Sequence, residues 1–295
     1  MGTAYPDPVA PALGAVEPLD LEPRFTFDAP IVPRAAEPVI ELDKVRWTVP
    51  TTMKVLDLAK QWGVRTKMLA ELNPTLQGSK RVGAGQQLVV YDRAVSPAPQ
   101  SVGAPNRGRL LGGVPLPEGD HWTVRDHRNQ IWGTRYTVEA LLMAFDAYGR
   151  EHPDGPSIRL GDISFRRGGR ISPHVSHRTG RDVDIGYVTV PDQLKDRYWQ
   201  NANAESFDVE RNWTLVRALI ETGRVQQIFM SVRLQKLLLE RAKQDLTPEQ
   251  LADYFRIANA DHHERSIIKH WKGHRNHMHV RFRCEPGNSR CRARG

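Results

Sequence analysis

Cysteine is nearly missing from this chain: among its 295 residues only Cys284 and Cys291 occur. Two thiols cannot build a cysteine-based zinc module or a disulfide-rich scaffold, which removes both classes. Their close spacing suits a local disulfide and an oxidising compartment; two free thiols are the alternative. Long apolar runs are missing as well, and no stretch approaches the roughly 20 residues that a membrane-spanning helix needs. Met1-Gly2-Thr3-Ala4-Tyr5-Pro6-Asp7 has neither the positive start nor the apolar core of a secretory signal. The His-Glu-x-x-His helix of many metalloproteases is also lacking, since Asp261-His262-His263-Glu264 does not have its spacing. No zinc finger, basic helix or RNA-binding aromatic signature accompanies the basic residues, so no nucleic-acid partner is expected.

What is there describes a globular chain. Hydrophobic residues make up 39% and charged residues 26%, which speaks against wholesale disorder, and the length favours about two domains. The 42 Lys plus Arg against 34 Asp plus Glu leave a net charge of +8. That balance favours encounters with polyanions, either nucleic acid or an acidic cell wall.

Residues 1–42 are rich in Pro and Ala without a sustained period, as expected of a tether. Residues 94–108 form a second Pro, Gly and Ser stretch and read as a linker. Between them, in residues 43–93, Val45 to Val49 alternates like a strand, and Met53 to Trp62 sets Val55, Leu58, Ala59 and Trp62 at helical spacing. Gly63 can stop that helix. Thr66 to Leu72 repeats the helical pattern before the Asn73-Pro74 turn signal, and Gly83 to Val90 supplies a turn and a last strand. The expected order is strand, helix, helix, strand. This unit resembles a LysM module, a family whose members bind N-acetylglucosamine-containing glycans such as peptidoglycan and chitin. The matching residues are Trp47-Thr48-Val49, Leu56-Asp57-Leu58-Ala59, Leu69-Ala70-Glu71-Leu72-Asn73-Pro74 and Gly85-Gln86-Gln87-Leu88. Thr51-Thr52-Met53-Lys54 stands where that family usually has Gly-Asp-Thr-Leu.

Residues 109–295 mix helices and strands. Thr137 is placed to cap a helix whose Val138, Leu141, Leu142, Phe145 and Tyr148 share a face. Val209, Trp213, Val216 and Ile220 mark a second helix, and Val225 to Met230 reads as a buried strand. Thr247-Pro248-Glu249-Gln250 is a capping box with proline at the first helical position.

Two segments carry the chemistry. In Arg181-Asp182-Val183-Asp184-Ile185-Gly186, strand alternation sends Asp182 and Asp184 to one face and Val183 and Ile185 to the other. Gly168, Gly169 and Pro173 upstream allow a tight loop that returns His177 over Asp184. In His274-Arg275-Asn276-His277-Met278-His279-Val280-Arg281-Phe282, His277, His279 and Arg281 share one face while Met278, Val280 and Phe282 suit the core. Catalytic zinc commonly takes three His or carboxylate ligands and keeps a fourth position open; His177, Asp184 and His279 fit that requirement. His121, His127, His152, His262, His263 and His270 are read as surface or hydrogen-bonded residues. Asp162 suits either a turn or substrate binding, and Arg181 either a substrate carboxylate or an acidic neighbour.

Residues 109–291 resemble the penicillin-insensitive murein endopeptidase family, part of the wider group of lysostaphin-type peptidases, D-Ala-D-Ala metallopeptidases and hedgehog domains. The resemblance runs through Leu111-Gly112-Gly113-Val114-Pro115-Leu116-Pro117, Trp132-Gly133-Thr134, Gly161-Asp162-Ile163-Ser164, Pro173-His174-Val175-Ser176-His177 and Arg281-Phe282-Arg283-Cys284. It implies an α+β zinc peptidase with an antiparallel sheet, with His177, Asp184 and His279 as Zn2+ ligands and His277 as base or transition-state stabiliser. It places His274 near the reacting carbonyl and His174 on the metal or beside its ligands. The implied activity is cleavage of D-alanyl to meso-diaminopimelyl crosslinks of peptidoglycan, in the periplasm or at the cell wall. A non-catalytic wall-binding scaffold and a carboxypeptidase acting on another stem-peptide bond are the rivals. Nothing in the sequence sets an oligomeric state.

Overall fold

The structure, a computed structural model, describes residues 42–124, 128–190, 200–258 and 265–294. The Pro/Ala-rich start up to residue 41, and His127, His262 and His263, lie outside the described residues.

The described chain begins with β1 (Lys44–Thr48), β2 (Met53–Lys54), α1 (Val55–Trp62), α2 (Thr66–Leu72), β3 (Arg81–Val82) and β4 (Gln87–Asp92). Strands β1 and β4 pair antiparallel, so the two helices are bracketed by the strands as the periodicity predicts. Helix α1 forms because Val55, Leu58, Ala59 and Trp62 make one buried stripe. It ends where Gly63 takes a left-handed φ of 63°. The helix starts two residues later than expected, because Met53 and Lys54 are drawn into pairing with Val82 and Arg81.

The stretch read as a linker is ordered instead. Strands β5 (Gln100–Ala104) and β6 (Arg107–Leu111) form an antiparallel hairpin. Composition is a poor guide here because the hairpin's third neighbour is remote: Gly103 donates to Arg290 O (2.9 Å) and accepts from Arg292 N (3.1 Å), on either side of Cys291. Cys291 is disulfide-bonded to Cys284, so the C-terminal tail clips onto the hairpin.

Among the described residues no open joint separates the first unit from the rest, and those residues, from 42 onward, belong to one compact unit. The Trp132 indole N–H donates to Trp62 O at 3.1 Å. Trp47, Trp62 and Trp132 follow one another edge to face, with centroids 5.8 and 6.4 Å apart. Such aromatic pairs add about 0.5–1.5 kcal/mol each beyond area burial. At the rim, Asp43 accepts from both Arg93 and Arg135.

The remainder runs β7 (Val114–Pro115), β8 (Trp122–Val124), β9 (Trp132–Gly133), α3 (Arg135–Glu151), β10 (Ile158–Leu160), β11 (Asp182–Gly186), α4 (Val209–Glu221), β12 (Val225–Met230), α5 (Val232–Ala242), α6 (Pro248–Tyr254), β13 (Ile268–His270) and β14 (His277–Phe282). A six-stranded sheet has the order β13-β12-β14-β11-β10-β8. Its four central strands are antiparallel, as expected, but both edges, β13 and β8, pair in parallel. The cap of α3 is Thr134, not Thr137: Thr134 Oγ1 accepts from Thr137 N at 3.1 Å. Thr137 is fully buried one turn in. The capping box at Thr247 and Gln250 forms with both of its hydrogen bonds.

Candidate active site

Strands β11 and β14 supply one half of the site. Their register sets Asp184 opposite His279, Asp182 opposite Arg281 and Gly186 opposite His277. Alternation then gives the sheet a polar face bearing these groups and an apolar face of Val183, Ile185, Met278 and Val280, which are wholly buried.

A loop supplies the other half. It is tied to β11 where Gly161 N donates to Asp184 O (2.8 Å) and Asp184 N to Asp162 O (3.0 Å). The loop returns on itself at Gly168, whose φ is 69° and where a Cβ would lie 2.1 Å from Arg178 O; only glycine fits that approach. His177 then sits at φ 62°, a left-handed conformation that costs a non-glycine residue about 1 kcal/mol or more. Its imidazole is held by Nδ1 donating to Ile163 O at 3.2 Å. His174 places Nε2 3.0 Å from Asp162 Oδ2 and Nδ1 3.5 Å from Asp184 Oδ2.

The halves meet in a small triangle. His177 Nε2 lies 3.1 Å from Asp184 Oδ1 and 3.2 Å from His279 Nδ1, and the third side, His279 Nδ1 to Asp184 Oδ1, is 3.0 Å. The outward nitrogens fix the tautomers. Nδ1 of His177 faces a carbonyl oxygen, while Nε2 of His279 faces Asp182 Oδ1 at 2.9 Å. Each outward nitrogen therefore carries a proton, and each ring, once its inner nitrogen has given up any proton of its own, turns a bare lone pair to the carboxylate oxygen. Three converging lone pairs repel one another unless a cation sits among them. Ligands on a tetrahedral zinc with bonds of about 2.0–2.1 Å lie about 3.4 Å apart, close to the sides of this triangle. The ligand atoms of His174, His177 and Asp184 also lie within 4.8 Å of one another. The residues fit a metal ion.

The electrostatics agree. Burial alone would raise the pKa of Asp184, yet the charge and hydrogen bond of His177 and the hydrogen bond of His279 hold it well below the usual value. Asp182, wholly buried, is likewise lowered against the effect of burial by His279 and by Arg281, whose Nε donates to it at 2.7 Å. Burial opposes a charge on His279, but its hydrogen bonds to Asp182 and Asp184 raise its pKa to about 9. A proton and a metal ion therefore compete for Nδ1 of His279. His277 is the opposite case. Burial, with His274 and His279 nearby, lowers its pKa to about 4 despite Asp184, so its ring is neutral at pH 7. Its Nδ1 lies 2.6 Å from Asn276 Oδ1, and its Nε2 lies 3.8 Å from Asp184 Oδ1. The His274 ring sits 4.8 Å from His277 and 5.9 Å from His279, and burial lowers its pKa too.

Residues 101–295 match the penicillin-insensitive murein endopeptidase family. The chain belongs to that family. Among curated proteins it is 28% identical over 213 residues to a penicillin-insensitive murein endopeptidase of Pectobacterium atrosepticum, covering 67% of this chain and 69% of that one. A protein of the same name from Yersinia pestis is 27% identical over 204 residues (66% and 70%), and one from Klebsiella pneumoniae is 26% identical over 211 (65% and 69%).

In this family member, all six residues singled out in the sequence, His174, His177, Asp184, His274, His277 and His279, come together. The supporting residues were the harder part. Asp182 shares the strand face of Asp184, but only the fold shows it gripping both His279 and Arg281. Trp271, 62% exposed, packs on Phe229, which packs on His279, each pair 5.7 Å apart; an exposed tryptophan three residues before His274 was the available signal. Asp162 takes the hydrogen bond of His174. Arg181 fits neither expectation: it is buried and donates to Phe282 O and Arg292 O at 2.8 and 2.7 Å, pinning the C-terminal tail. His152 meets Thr214 Oγ1 at 3.0 Å and His270 Nδ1 accepts from Val232 N at 3.1 Å, as hydrogen-bonded residues.

Proposed function

We propose that this protein is a zinc-dependent peptidoglycan hydrolase that cuts D-alanyl to meso-diaminopimelyl crosslinks in the periplasm or at the cell wall. The triangle of His177 Nε2, Asp184 Oδ1 and His279 Nδ1 carries the reading, since two imidazoles and one carboxylate are a donor set that catalytic zinc takes. The murein endopeptidase relatives supply the substrate class. When bound, zinc supplies Lewis acidity that lowers the pKa of water and polarises a carbonyl.

The protein's own groups do the rest. Asp182 and Ile163 O hold the two ligand rings in one tautomer and one orientation, and Asp162 does the same for His174. His277, neutral and anchored through Nδ1 by Asn276, offers Nε2 to take a proton from the attacking water. His274, beside it, is placed to face the developing charge on the carbonyl. The unit over residues 43–93 is read as a LysM-like glycan binder, a reading supported by its strand, helix, helix, strand order and its motif residues.

Purified protein incubated with crosslinked muropeptide dimers, with and without a chelator, tests the activity. Monomers that appear only in the zinc-loaded sample are expected. Unchanged dimers would overturn the reading, and loss of a terminal alanine in the product masses would replace it with a carboxypeptidase.

A further inference from the structure

Several arginines on this surface have an acidic partner. Arg93 and Arg135 share Asp43, Arg217 meets Glu151 and Arg241 meets Glu210. A different pattern holds at the seam between the N-terminal unit and the loop that carries His174 and His177. Arg166 and Arg167 open that loop. The Arg166 guanidinium lies over the Trp132 ring at 5.7 Å, and its Nε is buried without a hydrogen-bond partner. Its pKa is lowered, first by burial and then by the charges of Arg167 and Arg65. Arg65 belongs to the N-terminal unit, just before α2. Arg109, exposed on β6, runs alongside: its Cα lies 2.8 Å from where a Cβ of Gly168 would be. Among the described residues no Asp or Glu forms an ion pair with any of these four.

Clustered like charges repel, and the repulsion is relieved when an anion lies across them. The cluster exists because the two units are docked. Trp132 on Trp62 and the close approach of Gly63 to Asn129, where a Cβ would come within 3.0 Å, tie the segment just before Arg65 to the second unit, and the charge of Arg65 reaches Arg166. The loop in turn is fixed to the chain just after β6 by Gly113 N donating to Arg166 O at 3.4 Å.

We propose that Arg65, Arg109, Arg166 and Arg167 form a composite cationic surface that holds the stem-peptide carboxylates of a peptidoglycan strand neighbouring the one being cut. The proposal rests on the murein peptidase reading and adds a polymer-binding surface to it. A peptide strand rather than a nucleic acid is the occupant, because the surface continues into the loop that ends at the peptidase site.

The test uses the full chain and its Arg65→Glu/Arg167→Glu variant, both residues being exposed. Cosedimentation with purified crosslinked sacculi is measured at low and at physiological salt, alongside turnover of a soluble muropeptide dimer. The reversal is expected to weaken retention on sacculi about tenfold at low salt and to flatten its salt dependence. Dimer turnover is expected to stay at the wild-type rate. Lys236→Glu/Lys243→Glu, an equal change in net charge at exposed positions on and just after α5, outside residues 43–93, is expected to leave retention unchanged. Unaltered retention in the first variant, equal loss in both variants, or stronger charge-dependent retention on duplex DNA than on sacculi would overturn the proposal. If the wild type cuts no dimer yet shows charge-dependent retention, the peptidase reading fails and the surface stands.

Discussion

The two halves of the site are built by different means. Asp182, Asp184, His277 and His279 lie on paired strands, where the ladder sets their spacing and alternation sets their face. His174 and His177 lie on a loop that needs a left-handed His177, a glycine at Gly168 and hydrogen bonds to Ile163 O and Asp162 to hold its shape. The strand half is positioned by the backbone and the loop half by side chains and strain. The strand half should therefore keep its geometry when a side chain is changed, and the loop half should not.

The largest effects come from the triangle. His279→Ala and His177→Ala should each abolish metal uptake and turnover, a greater loss than the ~10–100-fold typical of groups that only orient ligands. The comparison lies in what remains: the His279 variant should keep the β11–β14 amide protection of the wild type, and the His177 variant should lose protection along the loop. Hydrogen exchange with metal analysis reads both. A fully active His279 variant would reject the ligand assignment.

Next are the supports. Asp182→Asn keeps the shape but weakens the grip on His279 Nε2 and Arg281, so metal affinity should fall by about 10–100-fold. Asp162→Asn acts only through His174 and should cost less than tenfold by the same measure. Titration with a metallochromic competitor gives both numbers, and equal losses would erase the distinction between the halves.

Legibility in the sequence followed the same division. That Asp182 and Asp184 share one face, and His277 and His279 another, could be read from period-two alternation, because a strand leaves one choice of face; that the two strands pair could not. That His177 returns over Asp184 could be read only as something the upstream glycines and proline allow, since no local rule places a left-handed histidine. Helices α1, α2, α3, α4 and α6 were legible from their stripes and caps, with starts off by two or three residues at α1 and α3, while α5 was not read. Residues 94–108 misled, because glycine and proline describe a hairpin turn as well as a linker. What orders them is a tail almost 190 residues away, at Cys291. Arg181 was illegible for the same reason, as its partners are the carbonyls of Phe282 and Arg292.

The tail offers a further test. Replacing Cys284 and Cys291 with Ser removes a short loop closure and should cost about 2–3 kcal/mol of stability in the chain-entropy model. It should leave the triangle intact, so a denaturant midpoint should fall while the metal stoichiometry holds. A matching loss of bound metal would show that the tail, through Arg181, positions the strand half.

The narrowest comparison separates protons from metal at one atom. His279 has a pKa of about 9 in the metal-free fold, against 6.5 for a free imidazole. A pKa raised by folding contributes stability that is complete below about pH 6.5 and disappears as pH rises through about 9. The metal-free protein should therefore melt at progressively lower temperature across that window. The zinc-loaded protein should not, because the metal replaces the proton on Nδ1 and its affinity instead weakens as pH falls. The His279→Gln variant, with no proton to lose there, should flatten the metal-free curve. Calorimetric melts of both forms between pH 6 and 9.5 provide the check, and parallel curves with and without metal would mean that proton and metal do not share His279 Nδ1.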